Sequence, residues 1–247
     1  MDVDELVIDK RAVLGRHEFY RDVPGAVIER LASHARLTSY PAGRQIFRKG
    51  DEGVGLLAVI SGLVKISVPS GDGKEVVLNL IGQNEIFGEI ALLDGGPRTA
   101  DAAAVTKCQL LALDRRDFVS VLSEEPSLAV RLLALVSRRL RQTSEQVEDM
   151  TFSDPQTRLA KALLRLADVQ GVIRTDNPRI EITQKELGRT IGLSRESTNK
   201  WLRDWEDAGR IVIEKGACII KDRGFLASLV AAGTGLLVAV PAMATSQ

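Results

Sequence analysis

The sequence predicts an α+β chain in three parts: an N-terminal β jelly roll with short leading helices, one long helix, and a C-terminal winged helix-turn-helix. Three observations carry this. Between Leu37 and Leu113, apolar runs of strand length alternate with glycine turns. After Pro126, apolar residues recur at helical spacing as far as about Met150. Between Thr183 and Gly209, two capped helices flank a glycine-containing turn. With 247 residues, 45% of them hydrophobic, the chain can fill more than one core. The boundaries are drawn at 1–125 for the barrel and its helices, 126–153 for the long helix and a hinge, 154–225 for the winged helix, and 226–247 for an apolar tail.

Residues 1–38 read as a polar lead-in, with one helical segment after Pro24 (Ala26, Val27, Ile28, Leu31). Strands are expected at 45–47, 55–60, 63–68, 75–80, 102–106 and 109–113. Turns fall at Pro41-Ala42-Gly43, Lys49 to Gly53, Ser61-Gly62 and Ser70 to Gly73. One segment interrupts the β pattern: Phe87-Gly88-Glu89-Ile90-Ala91-Leu92-Leu93-Asp94-Gly95-Gly96-Pro97-Arg98-Thr99-Ala100. Its glycines let backbone approach a ligand and aim N–H groups at an anion. Arg98 offers a planar fork that suits a phosphate. Glu89 can accept from a sugar hydroxyl. The segment therefore reads as a sugar-phosphate pocket, or else as a glycine-rich turn carrying a surface Glu and a surface Arg.

A short helix is expected over 114–123, then the long one. Along the latter, Ala129, Leu133, Val136, Leu140, Thr143, Val147 and Met150 step by 4, 3, 4, 3, 4 and 3. That is a coiled-coil seam, flanked by Arg131, Arg138, Arg139, Arg141, Glu145 and Glu148. It predicts a parallel homodimer, with packing on the chain's own barrel as the alternative. Thr143 is the polar exception on the seam and calls for a partner, either a ligand or the opposing Thr.

Asp154-Pro155 starts a new helix, with Asp as cap and Pro at the first position, so Thr151-Phe152-Ser153 is expected to be a hinge. The helix runs over 156–169 and ends at Gly171. Thr183-Gln184-Lys185-Glu186 is a capping box. The turn Ile191-Gly192-Leu193 follows, and Ser194 caps a second helix to about Ala208. This helix exposes Arg195, Glu196, Asn199, Lys200 and Arg203. From Thr183 to Arg203 there are five basic and two acidic residues in a chain of zero net charge, so any phosphate affinity is local. Arg can read guanine and Glu can read cytosine. The alternative is a solvated polar face on a structural helix pair. Thr198 stands where an apolar residue is usual, and its methyl is expected to pack. Ile211 to Ile213 and Cys218 to Ile220 form the wing hairpin.

Composition narrows the function classes. Cys108 and Cys218 are isolated among apolar neighbours, as reduced thiols are. There is no nucleophile–base pair or metal cluster, so no enzyme, metal or redox-cluster reading survives, and His17 and His34 read as ordinary helix residues. The acidic start, Met1 to Glu5, is not a secretory signal, and a cytoplasmic location is expected. The uncharged stretch from Gly224 to Gln247 is broken by Gly233, Gly235 and Pro241; it is expected to be a short helix and a loose or dimer-packed tail, with a membrane anchor as the alternative.

The Phe87–Ala100 segment resembles the phosphate-binding cassette of cyclic-nucleotide-binding domains, F-G-E-[LI]-A-L-x-x-x-x-P-R-[AST]-A. The helix segment Arg138-Arg139-Leu140 … Thr143-Ser144-Glu145 and the opening Ser194-Arg195-Glu196-Ser197 are similar to the Crp/Fnr family of bacterial transcription regulators, and the part order agrees from about residue 20 to 225. The resemblance implies cAMP or cGMP as effector, held by Gly88, Glu89, Ile90, Arg98 and Thr99, with Thr143 and Ser144 from both subunits at the base. Thr99 is what keeps cGMP open. It implies a palindromic operator in double-stranded DNA, contacted by Thr183, Gln184, Ser194, Arg195, Glu196, Thr198, Asn199 and Lys200, and RNA polymerase as a partner. Lys200 stands where the family has Arg, and the cassette loop is one residue shorter than in cAMP receptor protein. A ligand-independent regulator of the same fold, or a cyclic-nucleotide-binding regulatory subunit acting on a protein, are the alternative functions.

Overall fold

The computed structural model describes residues 9–71, 75–170 and 176–234. The chain divides into two compact units, Met1–Thr143 and Ser144–Gln247.

The first unit opens with α1 (Lys10–Arg16) and α2 (Gly25–His34). Eight strands follow: β1 (Arg36–Tyr40), β2 (Gln45–Phe47), β3 (Gly55–Ser61), β4 (Val64–Pro69), β5 (Glu75–Ile81), β6 (Ile86–Phe87), β7 (Asp101–Ala104) and β8 (Cys108–Asp114). They form two antiparallel sheets, ordered β1-β8-β3-β6 and β2-β7-β4-β5. The inner faces meet in one core containing Leu57, Val59, Val64, Ile81, Phe87, Ala102, Ala104, Cys108 and Leu110. Alternation along β8 sends Leu111 and Leu113 to the opposite face. There they pack with Leu14, Tyr20, Leu31 and Phe118, and with Leu128 and Leu132 from the start of the long helix. The barrel is thus cored on both sides of one sheet. The cassette helix α3 (Glu89–Asp94) sits between β6 and β7, and α4 (Arg115–Glu124) leads to the long helix α5 (Pro126–Phe152).

The second unit contains the last turns of α5, then α6 (Pro155–Val169), β9 (Arg179–Glu181), α7 (Gln184–Ile191), α8 (Arg195–Asp207), β10 (Ile211–Glu214), β11 (Ala217–Ile220) and α9 (Arg223–Thr234). The wing sheet is ordered β10-β11-β9. Thr183 and Ser194 cap α7 and α8, and Gly192 turns the chain between them at φ +69°.

Several expectations need correction. β1, β6 and β9 are strands that periodicity did not mark: β1 has two exposed residues in succession, and the other two span two and three residues. The expected hinge at Thr151–Ser153 is mostly helix, because α5 continues through Phe152 and leaves only Ser153 before the Asp154 cap. The break drawn at residue 225 falls inside α9, which packs on α6: Leu226 is fully buried, and the Thr157 hydroxyl reaches the Leu229 carbonyl at 3.4 Å. Gly171 and the tail beyond Thr234 lie outside the described residues. No helix among the described residues is long and apolar enough to cross a membrane.

Asp154 accepts from the N–H groups of Gln156 and Thr157 and from the Thr157 hydroxyl, at 2.8, 3.0 and 2.8 Å. Partial burial alone would raise its pKa, but these donors outweigh it and hold the carboxyl below its usual 3.8. A depressed folded pKa adds stability that is complete above the ordinary value and is lost as pH falls through the lowered one. Asp154→Ala is therefore expected to cost about 1 kcal/mol at neutral pH. Urea unfolding should show the deficit shrinking as pH drops below about 3.8.

Candidate functional site

The cassette is shaped by backbone that needs glycine. β6 ends at Gly88, whose φ of +85° starts α3. A Cβ there would lie 2.4 Å from the Arg98 guanidinium and 3.1 Å from the Gly55 carbonyl oxygen, so glycine is required for conformation and for space. Gly95 ends α3 at φ +71°, and the chain returns through Gly96 and Pro97 to Arg98. Arg98 is pinned by its backbone: its N–H donates to the Asp51 carbonyl at 2.8 Å, and its carbonyl accepts from the Gly50 N–H at 2.8 Å.

Two charged side chains of this segment are buried, Glu89 at 2% exposure and Arg98 at 5%. The Arg98 guanidinium lies 4.3 Å over the Phe47 ring and donates one hydrogen bond, to the Gly88 carbonyl at 3.0 Å. Burial lowers its pKa, against the opposing pull of Glu89 and Asp51, but arginine remains charged in proteins. Five donors with one hydrogen bond made among the described residues is the chemistry of an anion subsite. Glu89 is ion-paired with Arg139 of α5, which also donates to the Ile86 carbonyl. Ile90 and Thr99 are exposed neighbours of these two charges.

One helical turn beyond Arg139, the exposed Thr143 donates its hydroxyl to the Arg139 carbonyl at 2.9 Å, and the exposed Ser144 follows. Of the seam residues, Leu133, Leu140 and Val147 are 63%, 68% and 61% exposed. Leu128 and Leu132, on another side of α5, are buried in the barrel's outer core.

Sequence reasoning placed Arg139 among the charged flanks and missed its contact with Glu89. The available signal was spacing: Arg139 is four residues before Thr143 and so shares its helix face. Phe47 and Asp51, which hold Arg98 from below and beside, carried no signal of their own.

In the second unit, Thr183 accepts from the Glu186 N–H at 3.1 Å and Ser194 from the Ser197 N–H at 3.0 Å. Arg195, Glu196, Lys200 and Arg203 are exposed along α8, and Gln184 and Asn199 are half-buried. Thr198 is a correction to the expected DNA contacts. It is fully buried, its hydroxyl donates to the Ser194 carbonyl at 2.9 Å, and a Cβ on Gly188 would lie 2.8 Å from Thr198 Oγ1. It packs α8 on α7 and does not reach an outer face. Both cysteines are free and buried; burial raises the Cys108 thiol, and burial followed by Glu206 pushes Cys218 up to about 12, so neither is a reactive thiolate. Among the described residues no group of three or more His, Cys, Asp or Glu side chains could hold a metal ion.

The Glu89–Arg139 pair gives a direct test. Arg139→Met leaves a buried carboxylate without its cation and is expected to destabilise the first unit by about 3 kcal/mol. Adding Glu89→Gln should recover part of that loss in a double-mutant cycle read by thermal unfolding.

The comparisons with known proteins agree with this geometry. A family model described as cyclic nucleotide-binding domain matches residues 37–125, and one described as Crp-like helix-turn-helix domain matches 157–229. A CRP-like cAMP-activated global transcriptional regulator from Mycobacterium tuberculosis is 34% identical over 217 residues, covering 87% of this chain and 97% of its own. A cyclic AMP receptor protein from Thermus thermophilus is 36% identical over 187 residues, covering 76% and 84%. Among solved structures, a transcriptional regulator of the CRP/FNR family from Thermus thermophilus superposes with a TM-score of 0.66 at 25% identity, covering 79% of this chain and 98% of that one. The Mycobacterium tuberculosis relative and the solved Thermus structure are named as regulators of transcription, not as enzymes. The chain, with its cyclic-nucleotide-binding jelly roll and its helix-turn-helix, belongs to the CRP/FNR family of DNA-binding transcription regulators.

Proposed function

We propose that this regulator is a homodimer switched by a cyclic nucleotide, with cAMP as the preferred effector. The observation that carries the reading is Arg98: a buried guanidinium with one hydrogen bond, fixed by its backbone at the end of a glycine-shaped loop. The phosphate would sit on Arg98 and the backbone near Gly88, Ile90 and Thr99, and the ribose 2′-hydroxyl would donate to Glu89. A carboxylate has about four acceptor sites, so Glu89 can take that hydroxyl while keeping Arg139. The base would lie against Thr143 and Ser144 at the seam.

Thr143 supplies the argument for adenine. A carbonyl only accepts, so the hydroxyl proton of Thr143 is committed to Arg139 and its oxygen is left to accept. Adenine offers a 6-amino donor, whereas guanine has an acceptor at that position. The Mycobacterium tuberculosis relative is cAMP-activated by name. The Thr99 hydroxyl favours a second reading, cGMP, since it stands beside Arg98 where it could meet the guanine 2-amino group.

The exposed Leu133, Leu140 and Val147 would be covered by the same helix of a second copy. A base held by both subunits favours one arrangement of the seam, and only that differential affinity can shift the protein between states. Two α8 helices about 34 Å apart would then read a palindromic operator, with Arg195, Glu196, Asn199 and Lys200 at base edges and the turn residues Thr183, Gln184 and Ser194 at phosphates. RNA polymerase in the cytoplasm is the expected downstream partner.

Calorimetric titration with cAMP and cGMP should show micromolar or tighter binding of cAMP, a weaker signal for cGMP, and for Arg98→Ala a loss of at least 100-fold, about 2.7 kcal/mol. Binding of the Arg98→Ala variant at wild-type strength would remove the pocket from consideration. Absence of any nucleotide binding by the wild type, with DNA binding intact, would favour the ligand-independent regulator; nucleotide binding without DNA binding would favour a regulatory subunit. Leu140→Lys places a charge on each side of the seam and should give a monomer by sedimentation, with nucleotide binding weakened by loss of the partner's contact to the base but still dependent on Arg98.

A further inference from the structure

The corner between α5 and α6 is closed by side chains. Ser153 is the one residue between the end of α5 and the Asp154 cap. Its N–H donates to the Asp149 carbonyl at 3.0 Å, and its hydroxyl donates to Asp149 Oδ1 at 3.1 Å. The same carboxylate oxygen takes the ammonium group of Lys161, which lies on α6 twelve residues further along. Both members are partly covered, with side chains 23% and 28% exposed for Asp149 and Lys161. Asp154 is doubly restricted: its carboxylate caps α6, and Pro155 behind it enforces extended backbone. One residue past Asp149, Met150 meets the helix-turn-helix, where a Cβ on Gly192 would lie 3.8 Å from Met150 Cε. Each backbone joint of the corner therefore has its own lock, and the last turn of α5 touches both α6 and the turn before α8.

We propose that the Asp149–Lys161 pair is a brace that fixes the α5–α6 corner, so that the recognition helix moves with the end of the dimer helix as one body. Without the brace, Ser153 would be held to α5 alone and α6 would be free to swing from it, so that ordering the corner on DNA would cost conformational entropy at that moment. With it, that ordering is already complete, and a shift of the seam reaches α8 undiminished. Asp149 and Lys161 are positioning residues; neither is placed at the nucleotide or at base edges. The DNA-response part of this inference rests on the function proposed above, whereas the geometry of the brace does not.

The test uses the full-length protein with Asp149→Lys, Lys161→Asp, the double charge swap, and Lys161→Met as a milder single change. Nitroxide labels on Glu145→Cys and Asp168→Cys, both in the second unit, report the corner by pulsed electron–electron resonance. A narrow distance distribution is expected for the wild type, broad ones for the single variants, and a narrow one again for the swap. In parallel, DNA affinity is measured with and without cAMP on duplexes selected by the wild-type protein. The single variants should bind cAMP as the wild type does yet lose about tenfold of the cAMP-induced gain in DNA affinity, and the swap should restore most of it. Narrow distributions in the single variants, or no recovery in the swap, would overturn the brace. A wild type indifferent to cAMP would overturn the proposed effector, and the label distances would still decide the brace.

Discussion

The ion pair between Glu89 and Arg139 is the constraint on which the first unit turns. A carboxylate at 2% exposure is tolerable only with a cation and hydrogen-bond donors at hand, because losing its hydration costs several kcal/mol. Arg98 of the cassette acts on that carboxylate only through its field, since its guanidinium donates to the Gly88 carbonyl and stacks on Phe47. The partner comes from α5. Burial of Glu89 therefore requires α5 docked against the barrel, and the docking is also apolar, through Leu128 and Leu132. The pocket's buried carboxylate and the start of the long helix are thus held by the same docking.

α5 meets that demand by presenting different faces along its length. Its first turns bury leucines against the barrel; its middle carries Arg139 to Glu89; Leu133, Leu140 and Val147 form an exposed stripe; its last turn carries Asp149 to Lys161. Thr143 and Thr151 both return their hydroxyls to the carbonyl four residues earlier, which satisfies them without breaking the ladder.

How much of this was legible in the sequence follows from the range of each interaction. The cassette was legible because glycine, arginine and glutamate are demanded locally, by positive φ at Gly88 and Gly95 and by chemistry at Arg98. The helix-turn-helix was legible because Thr183, Gly192 and Ser194 act within their own turns. The pairing of Glu89 with Arg139 was not, since the spacing of Arg139 from Thr143 gives its helix face but not a partner fifty residues away. β1 is specified by its register with β8 more than by its own alternation, and β6 is too short to show a period. Thr198 was legible as a packing residue, because it stands where an apolar one is usual; the satisfaction of its hydroxyl by the Ser194 carbonyl, which turns it away from DNA, is visible only once the helix exists. A short helix after residue 224 was legible from the uncharged stretch, but its packing on α6 was not: Gly233 reads as a breaker, whereas in α9 a Cβ there would come 2.4 Å from the Thr157 hydroxyl.

The close approach at Gly233 and the cap at Asp154 meet on the same residue. Thr157 donates its hydroxyl to Asp154 Oδ2 at 2.8 Å, and the same hydroxyl lies 3.4 Å from the Leu229 carbonyl of α9. One proton cannot serve both at full strength, and the shorter contact to an ionised acceptor is the stronger. The start of α6 is thereby set by its cap, and α9 adapts to it through a glycine rather than the reverse. The apolar run after the wing is, for its first turns, a packing element of the DNA-binding unit, and the order of dependence runs from the corner at Ser153 outward: cap, α6, then α9.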